Sequence, residues 1–317
     1  MIHLRIVAPD DLADRVLEVL ERSPAVLSVV RFPDAARRPR GDLVLCDVPR
    51  EEASALLAEL RELGLENEGT ISVEEIESAP SRLARDAIRR ARGSPADAVV
   101  WEQVEQRTSE SAELSASFVS FMVLATLIAA VGILTDSQVL IIGAMVVGPE
   151  FGPLAGLCIA IVQRQLALAR RSFVALAVGF PVAIAATFAA TLGFRAADLT
   201  PDELDAASHP TTLFISEPSW FSVIVALLAG VAGMLSLTTA KSGALIGVLI
   251  SVTTIPAAAN VGVAAAYADW DEFGGALAQL TINLASIVAA GIATLTLQRL
   301  VYRRRRAASA SRPRPPA

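Results

Sequence analysis

The sequence predicts an α-helical polytopic membrane protein with a small α+β domain at its N-terminus. The chain is 53% hydrophobic over 317 residues and has a mean hydropathy of +0.52, which is too apolar for an ordinary soluble protein. Residues 1–112 hold most of the charged residues of the chain, whereas long apolar runs follow Ser115. Each run is close to the roughly 20 residues that a membrane-crossing helix needs. The first part is therefore expected in water and the second in lipid.

Residues 1–79 are predicted as a ferredoxin-like domain with the element order βαββαβ, because strand-like and helix-like periodicities alternate in that order. The domain shows no glycine-rich phosphate loop and no metal-spaced cluster, so no cofactor and no metal ion are expected. His3 is expected to be an ordinary strand histidine, and Cys46 a small core residue. The predicted elements are Ile2 to Ala8, a helix after Pro9, Ala25 to Arg31, Asp42 to Val48, a helix from Arg50 to Leu63, and Thr70 to Ile76.

The net charge, the two cysteines and the pattern of the first residues bear on the possible partners and on the cellular compartment. The net charge of −6 does not indicate a nucleic-acid partner. The two cysteines, Cys46 and Cys158, make a disulfide framework implausible and are compatible with a reducing cytoplasm. The first residues form a charged, alternating segment, unlike the basic and then apolar pattern of a signal peptide.

Residues 80–114 are predicted as a helical linker, and residues 303–317 as a basic, disordered tail. The start of the linker, residues 80–92, carries five arginines against one aspartate. Two interpretations stay open for it: a basic amphipathic helix against anionic lipid headgroups, or a solvated connector.

Residues 115–302 are predicted to hold about six membrane spans. Basic residues recur on one side of them: Arg164 with its neighbours, then Lys241, then the arginines from Arg299 onward. By the positive-inside rule that side is cytoplasmic, so the soluble domain and both termini are expected there. The spans are roughly Ser117 to Leu134, Gln138 to Gln163, Phe173 to Gly193, Trp220 to Thr239, Gly243 to Ala268 and Ala276 to Leu300.

The second span is interrupted by the run from Gly148 to Pro153, which holds two prolines, two glycines and Glu150. Proline removes a backbone donor, and the freed polar groups must find partners inside protein or beside water. The fifth span has a comparable position at Pro256, nine residues after Gly247. Three spans before and three after would then form a candidate 3+3 inverted repeat whose broken helices meet at mid-bilayer. Shared composition of apolar helices is the alternative explanation.

Glu150 is the central candidate residue, because a carboxylate inside a span is by default a functional hypothesis. It would bind a proton or a cation; the alternative is a structural cap for the neighbouring half-helix. The other candidates for a solute or ion site line the two breaks or supply hydroxyl and amide groups. They are Gly148, Pro149, Gly152, Pro153, Thr253, Thr254, Pro256, Asn260 and Asn283.

The membrane part resembles the DUF389 family of bacterial hydrophobic proteins. The matching pieces are the motif Leu134 to Ser137, the run Ile141 to Met145, the Gly152-Pro153 pair, the segment from Ser242 to Pro256, and Asn283-Leu284. The resemblance implies a multi-pass protein of the bacterial inner membrane with no established substrate. The chain differs from the usual pattern at Glu150, where a neutral residue is common, and at Pro256, where a double proline is common.

Two functions are therefore expected as alternatives. The first is a secondary transporter or permease for a small solute or ion, with its site between broken helices two and five. The second is a membrane sensor or scaffold whose cytoplasmic domain binds an effector. No HExxH motif, nucleophile elbow or pair of intramembrane acids indicates an enzyme. A homo-oligomer, most simply a dimer, is the base-rate expectation.

Overall fold

The computed structural model describes residues 1–76, 81–90, 99–200, 219–239, 247–248, 250 and 253–310. Within them the chain divides into two compact units, one centred on Met1–Val104 and the other on Glu105–Leu237 with the described residues after 240. Several predictions lie outside the described residues: the basic position Lys241, most of the first half of the fifth span, the segment 201–218 and the end of the tail.

The first unit contains a four-stranded antiparallel sheet in the order β2-β3-β1-β4. Helices connect β1 to β2 and β3 to β4, so the element order βαββαβ is the observed one, with one short extra helix before the last strand. The bounds are β1 Ile2–Ala8, α1 Asp10–Arg22, β2 Leu27–Arg37, β3 Arg40–Val48, α2 Arg50–Glu62, α3 Leu65–Glu68, β4 Thr70–Glu75 and α4 Arg82–Arg90.

The sheet forms because alternate side chains of β1 are apolar and leave water together. Ile2, Leu4 and Ile6 are fully buried, and the apolar faces of α1 and α2 cover them. Gly64 follows α2 with φ of 81°, the left-handed conformation that ends a helix most readily at glycine, as the sequence predicts.

His3 and Cys46 take the ordinary roles expected of them. The His3 ring lies 2.7 Å from the Asp47 carboxylate on the paired strand. Cys46 is fully buried in the sheet, and burial raises the pKa of its thiol to about 12. A thiol with such a pKa is not a nucleophile at neutral pH.

The second unit is helical, and its described residues contain four helices long and apolar enough to cross a membrane. The pair of short helices Gln138–Val147 and Phe151–Gln163, bent by 48° at the break between them, adds a fifth crossing if the two form one span. The four long apolar helices indicate a membrane protein, whereas the six predicted spans are not confirmed. After the linker helix α5, Trp101–Ser111, the bounds are α6 Ala116–Leu134, α7 Gln138–Val147, α8 Phe151–Gln163, α9 Leu166–Ala196, α10 Trp220–Thr238, α11 Thr254–Tyr267 and α12 Trp270–Ala310.

The short helix α11 lies at the centre of this unit. Nearly all of its side chains are buried, and it packs against α6, α7, α9 and α12. Most are alanine, glycine or valine, so neighbouring backbones approach closely. Gly262 is an example: a side chain there would collide with the Ile184 carbonyl oxygen at 2.8 Å.

We predict that the first unit loses stability as the pH falls below about 4, the ordinary range of an unfolded aspartate. The backbone N–H of Asp34 donates to the buried Asp42 at 2.8 Å, and Arg31 donates to its other oxygen at 2.5 Å. These contacts, the Asp34 bond first, lower the Asp42 pKa against the opposing effect of burial. A depressed folded-state pKa stabilises the fold above the unfolded pKa, and that stabilisation disappears as pH falls through the folded pKa.

Hydrogen exchange of the β2 and β3 amides, corrected for intrinsic rates, measures this effect in the full chain. Asp42→Asn should lower protection at neutral pH and flatten the acid dependence, whereas Glu62→Gln, at an exposed position of α2, should change neither. An unchanged acid profile in Asp42→Asn contradicts the assignment.

Candidate functional site

The break between α7 and α8 follows directly from its two prolines. Pro149 has no N–H to donate to the carbonyl of Met145, so α7 cannot continue through it. The residue before a proline is pushed to extended conformations, and Gly148 has φ of −62° and ψ of 129°. Pro153 is the third residue of α8, where a helix needs no N–H donor. The chain therefore restarts as a helix immediately after Glu150.

Glu150 is buried at this break, with 4% of its surface exposed. Its Oε1 accepts a hydrogen bond of 2.7 Å from the hydroxyl of Thr254, the first residue of α11. Its Oε2 is buried without a hydrogen-bond partner among the described residues. The side chain makes no capping hydrogen bond to α8, although Glu150 occupies the N-cap position. The carboxylate thus joins two helix starts and keeps one oxygen free.

Gly148 makes room for this carboxylate. A side chain at Gly148 would collide with Glu150 Oε2 and would come within 2.6 Å of the Ile255 Cγ1 atom. The structure therefore brings the break after α7 into direct contact with the first turn of α11. The sequence predicts this meeting of the two interruptions.

Contacts along α12 show that α8 and α11 run in opposite directions from this meeting point. Reading α12 from its start, Glu272 contacts Asn260 of α11 and Asn283 contacts Thr253 at the beginning of α11. Further along, Gly291 lies against Cys158 of α8. Near its end, Arg299 donates to the Val162 carbonyl at 2.5 Å, close to the end of α8. Hence α11 is antiparallel to α12, and α8 is parallel to it.

The contacts of helix α9 show the same arrangement of α8 and α11, independently of the contacts of α12. Ser172, near its start, occupies the space beside Gly156 of α8. Arg195, at its end, donates to the Ala266 carbonyl near the end of α11 and stacks 4.4 Å above the Tyr267 ring. The two short helices therefore follow one another along α9 with their N-termini facing.

The junction lies near the middle of the apolar stretch. Glu150 lines a small space together with Ile287, and Thr253 bonds Asn283, so both mark the centre of the apolar window Trp270–Val301 of α12. From Glu272 to Arg299 the helix rises about 40 Å, which exceeds the hydrocarbon thickness of a bilayer. Two helix N-termini, each with partial positive charge, face the Glu150 carboxylate at this depth.

Glu150 lines a small space of about 10 Å³ together with Thr254 and Phe151. A space of this size holds about one water molecule or an ion of similar size. Among the described residues there is no group of three or more His, Cys, Asp or Glu side chains that could hold a metal ion.

A second, larger cavity of about 410 Å³ lies on the other side of the first turn of α11. Thr253, Asn283 and Gln279 line it together with apolar side chains of α7 and α10. Asn283 Nδ2 donates to Thr253 Oγ1 at 3.0 Å, and Gln279 Nε2 donates to Asn283 Oδ1 at 3.4 Å. Thr253 and Thr254 are adjacent, so consecutive residues face the cavity and Glu150.

The structure does not bring every predicted residue into this site. Gly152 faces Ser111 of the linker helix, so its small size serves packing there. Asn260 donates to Glu272 at 2.8 Å, nearly two turns along α11 from Thr254, and ties α11 to α12. Pro153 and Pro256 are buried in first turns and act through the backbone.

Sequence reasoning missed Gln279, Gln138 and Ser222, which line the larger cavity. Gln279 stands four residues before Asn283, so the two amides share one face of α12. That four-residue spacing was the feature of the sequence from which Gln279 could have been predicted. Gln138 and Ser222 lie near the starts of their helices, where polar residues are unremarkable.

Comparison with known proteins supports the membrane part of this description. Residues 145–289 match the model of a family described as a domain of unknown function, DUF389, which confirms the resemblance over that segment. An uncharacterized protein of Methanocaldococcus jannaschii is 27% identical over 189 residues, which are 60% of this chain and 56% of that protein. The chain thus spans a little over half the length of that relative. No solved structure matches the chain.

We predict that Gly148→Ala destabilises the helical unit by about 1–3 kcal/mol, the usual cost of overpacking. The new methyl group would displace the Glu150 carboxylate or Ile255. Gly143→Ala is the control, because a side chain there meets no atom within 4 Å and Gly143 lies on α7, the helix that ends just before Gly148. Thermal unfolding in detergent measures both; equal midpoints for the two variants contradict the proposed contact.

The opposite directions of α8 and α11 predict that their ends lie on opposite membrane faces. In cells and inverted vesicles, a membrane-impermeant maleimide should label Arg164→Cys from one side and Trp270→Cys from the other. Both native cysteines are buried and can stay in place. Labelling of the two positions from the same side would rule out the end-to-end arrangement.

Proposed function

We propose that this protein is a secondary transporter or permease for a small solute or ion, with its site where α8 and α11 meet. Glu150 is the coupling group, which binds a proton or a monovalent cation. The protein would lie in the inner membrane with its first unit, a ferredoxin-like domain, in the cytoplasm as a regulator or dimerisation module. The membrane part is what resembles the matched family, whose own description gives no activity.

One observation carries the proposal: two half-helices start from a common point near mid-span, and a buried carboxylate with an unpartnered oxygen lies between them. Anchoring helices need neither feature, and a buried carboxylate is expensive in lipid. Broken helices whose N-termini face a central site are typical of transporters built from inverted repeats.

Local similarities between α8 and α11 support an inverted repeat. Pro153 and Pro256 are each the third residue of their helix, so Glu150 and Thr253 hold the same N-cap position. Arg164 and Ala268 end the two helices with φ of 61° and 58°. In each case a long apolar helix follows within two residues.

The packing partners of the two half-helices support the same interpretation. Helix α8 packs on α9, which follows it, and on α12, which belongs to the last three predicted spans. Helix α11 packs on α12, which follows it, and on α9, which belongs to the first three predicted spans. Such a reciprocal exchange is expected when two repeats cross about a two-fold axis.

The chemistry of coupling follows from the two oxygens of Glu150. Thr254 holds Oε1, while Oε2 is free to take a proton or a cation in the small space beside it. Neutralising the carboxylate would weaken its attraction for the two helix N-termini. Loading and unloading of Oε2 would thus change how tightly α8 and α11 hold together, which is the kind of change that alternating access requires.

A sensor or scaffold is the second candidate function, favoured by the division of the chain into two compact units. In that case the first unit binds an effector and the helices only anchor it. Removal of residues 1–79 separates the two functions, because a transporter retains flux and a sensor does not retain effector binding.

We predict that Glu150→Gln reduces gradient-driven solute accumulation by roughly tenfold or more, because an amide neither takes up a proton nor neutralises a cation. Glutamine keeps the shape and the acceptor for Thr254, so the fold should persist. The measurement is uptake by proteoliposomes under a proton or a sodium gradient across a solute panel. Glu113→Gln, an exposed glutamate before α6, is the matched control.

Equal accumulation by the parent chain and Glu150→Gln would remove Glu150 from the coupling step. Absence of any gradient-dependent movement across the panel, with protein shown to be folded, would contradict the transporter proposal as a whole.

A further inference from the structure

The larger cavity is a partly open space whose described lining side chains are uncharged. Its described lining contains no Asp, Glu, Lys, Arg or His, although it reaches the middle of the apolar stretch of α12 at Asn283. Apolar residues of α7 and α10, such as Ile141 and Ala226, form most of its wall. A charged solute would give up its hydration there without an opposite charge, which is costly. The cavity therefore fits an uncharged solute.

One polar atom of a side chain that lines this cavity lacks a hydrogen-bond partner among the described residues. Gln279 is 1% exposed, and its Nε2 donates to Asn283. Its Oε1 is buried and has no hydrogen-bond partner among the described residues. A buried acceptor without a donor costs free energy, and an apolar lipid chain in the cavity would not relieve it. A solute with an N–H or O–H group would.

A chain of side-chain hydrogen bonds from Gln279 to α11 fixes the orientation of the Gln279 amide. Gln279 bonds Asn283, and Asn283 bonds Thr253 at the N-cap of α11. The next residue, Thr254, bonds Glu150. A solute bound at Gln279 is therefore linked through the first turn of α11 to the carboxylate that we assign to coupling.

We propose that this cavity binds an uncharged, partly apolar solute through a hydrogen bond from the solute's N–H or O–H group to Gln279 Oε1. The role of this solute as transported substrate rests on the proposed function; the binding itself does not. Gln279 is then the residue that selects donors, and the described part of the wall, which carries no charge, disfavours ions.

The test uses iodoacetamide and iodoacetate, two alkylating reagents of equal size, of which the first is an uncharged amide with N–H donors and the second an anion. Ala226→Cys places a thiol in the cavity wall of the full chain in phosphatidylcholine nanodiscs. Leu199→Cys, at a position 72% exposed, is the reference. The same thiolate attacks the iodomethyl carbon of either reagent and displaces iodide, so the local pKa of the thiol cancels in the ratio of their rates.

We expect the ratio of iodoacetamide to iodoacetate rates at Ala226→Cys to exceed that at Leu199→Cys by about tenfold or more, from the cost of burying an uncompensated charge. Adding Gln279→Met, which keeps length and removes the acceptor, should lower the iodoacetamide rate about fivefold and leave the iodoacetate rate unchanged. Thr281→Val, on the exposed side of the same helix, should change neither rate.

Equal ratios at the two positions overturn the proposal, because the cavity would then be a water-filled space that does not select against charge. An unchanged iodoacetamide rate in Gln279→Met overturns the role of Gln279. Mass spectrometry reads each site and also reports whether the buried Cys46 and Cys158 stay unlabelled, which verifies folding of every variant.

The two proposals fail separately. Selective alkylation without transport in proteoliposomes leaves the cavity assignment standing and removes the transporter. Transport that depends on Glu150, with equal alkylation ratios, retains the transporter and removes the solute class.

Discussion

The hydrogen bond from Thr254 to Glu150 is the contact on which the helical unit depends. It joins Glu150, the N-cap residue of α8, to Thr254, the first residue of α11, at the point where the two short helices begin. Two helix N-termini would otherwise face each other with unsatisfied N–H groups and like partial charges. The negative charge of a carboxylate between them offsets the like partial charges, although its side chain accepts no hydrogen bond from the N–H groups of α8.

The surrounding packing follows from this junction. Because α8 and α11 are each about half a span long, the long helices α9 and α12 must bridge the gap, and each contacts both half-helices. Close approach requires small residues at the contacts, which explains the glycines beside Ser172, Thr187 and Cys158 at three different levels. A junction held from both sides by continuous helices can change its internal contacts without loss of the bundle.

The sequence predicts much of this, and the limits are physical. Proline and glycine act locally, so the break at Gly148 and the end of α2 at Gly64 were predictable from the chain alone. Hydropathy located the long helices, although α9 and α12 extend beyond the predicted apolar runs at both ends. The partners of Glu150 and Gln279 depend on which helix faces lie together, and in apolar helices almost any face can be the inner one. Gly152 and Asn260 show the consequence, because suitable residue types near the breaks serve helix packing instead.

The most direct measurement is a density map of the full chain in a lipid nanodisc, where the bilayer itself is visible. We predict that Glu150 lies close to the bilayer midplane between the facing ends of α8 and α11, with density for a water or an ion beside Oε2. A Glu150 at the headgroup level, or a junction closed by apolar side chains with no space beside the carboxylate, would contradict it.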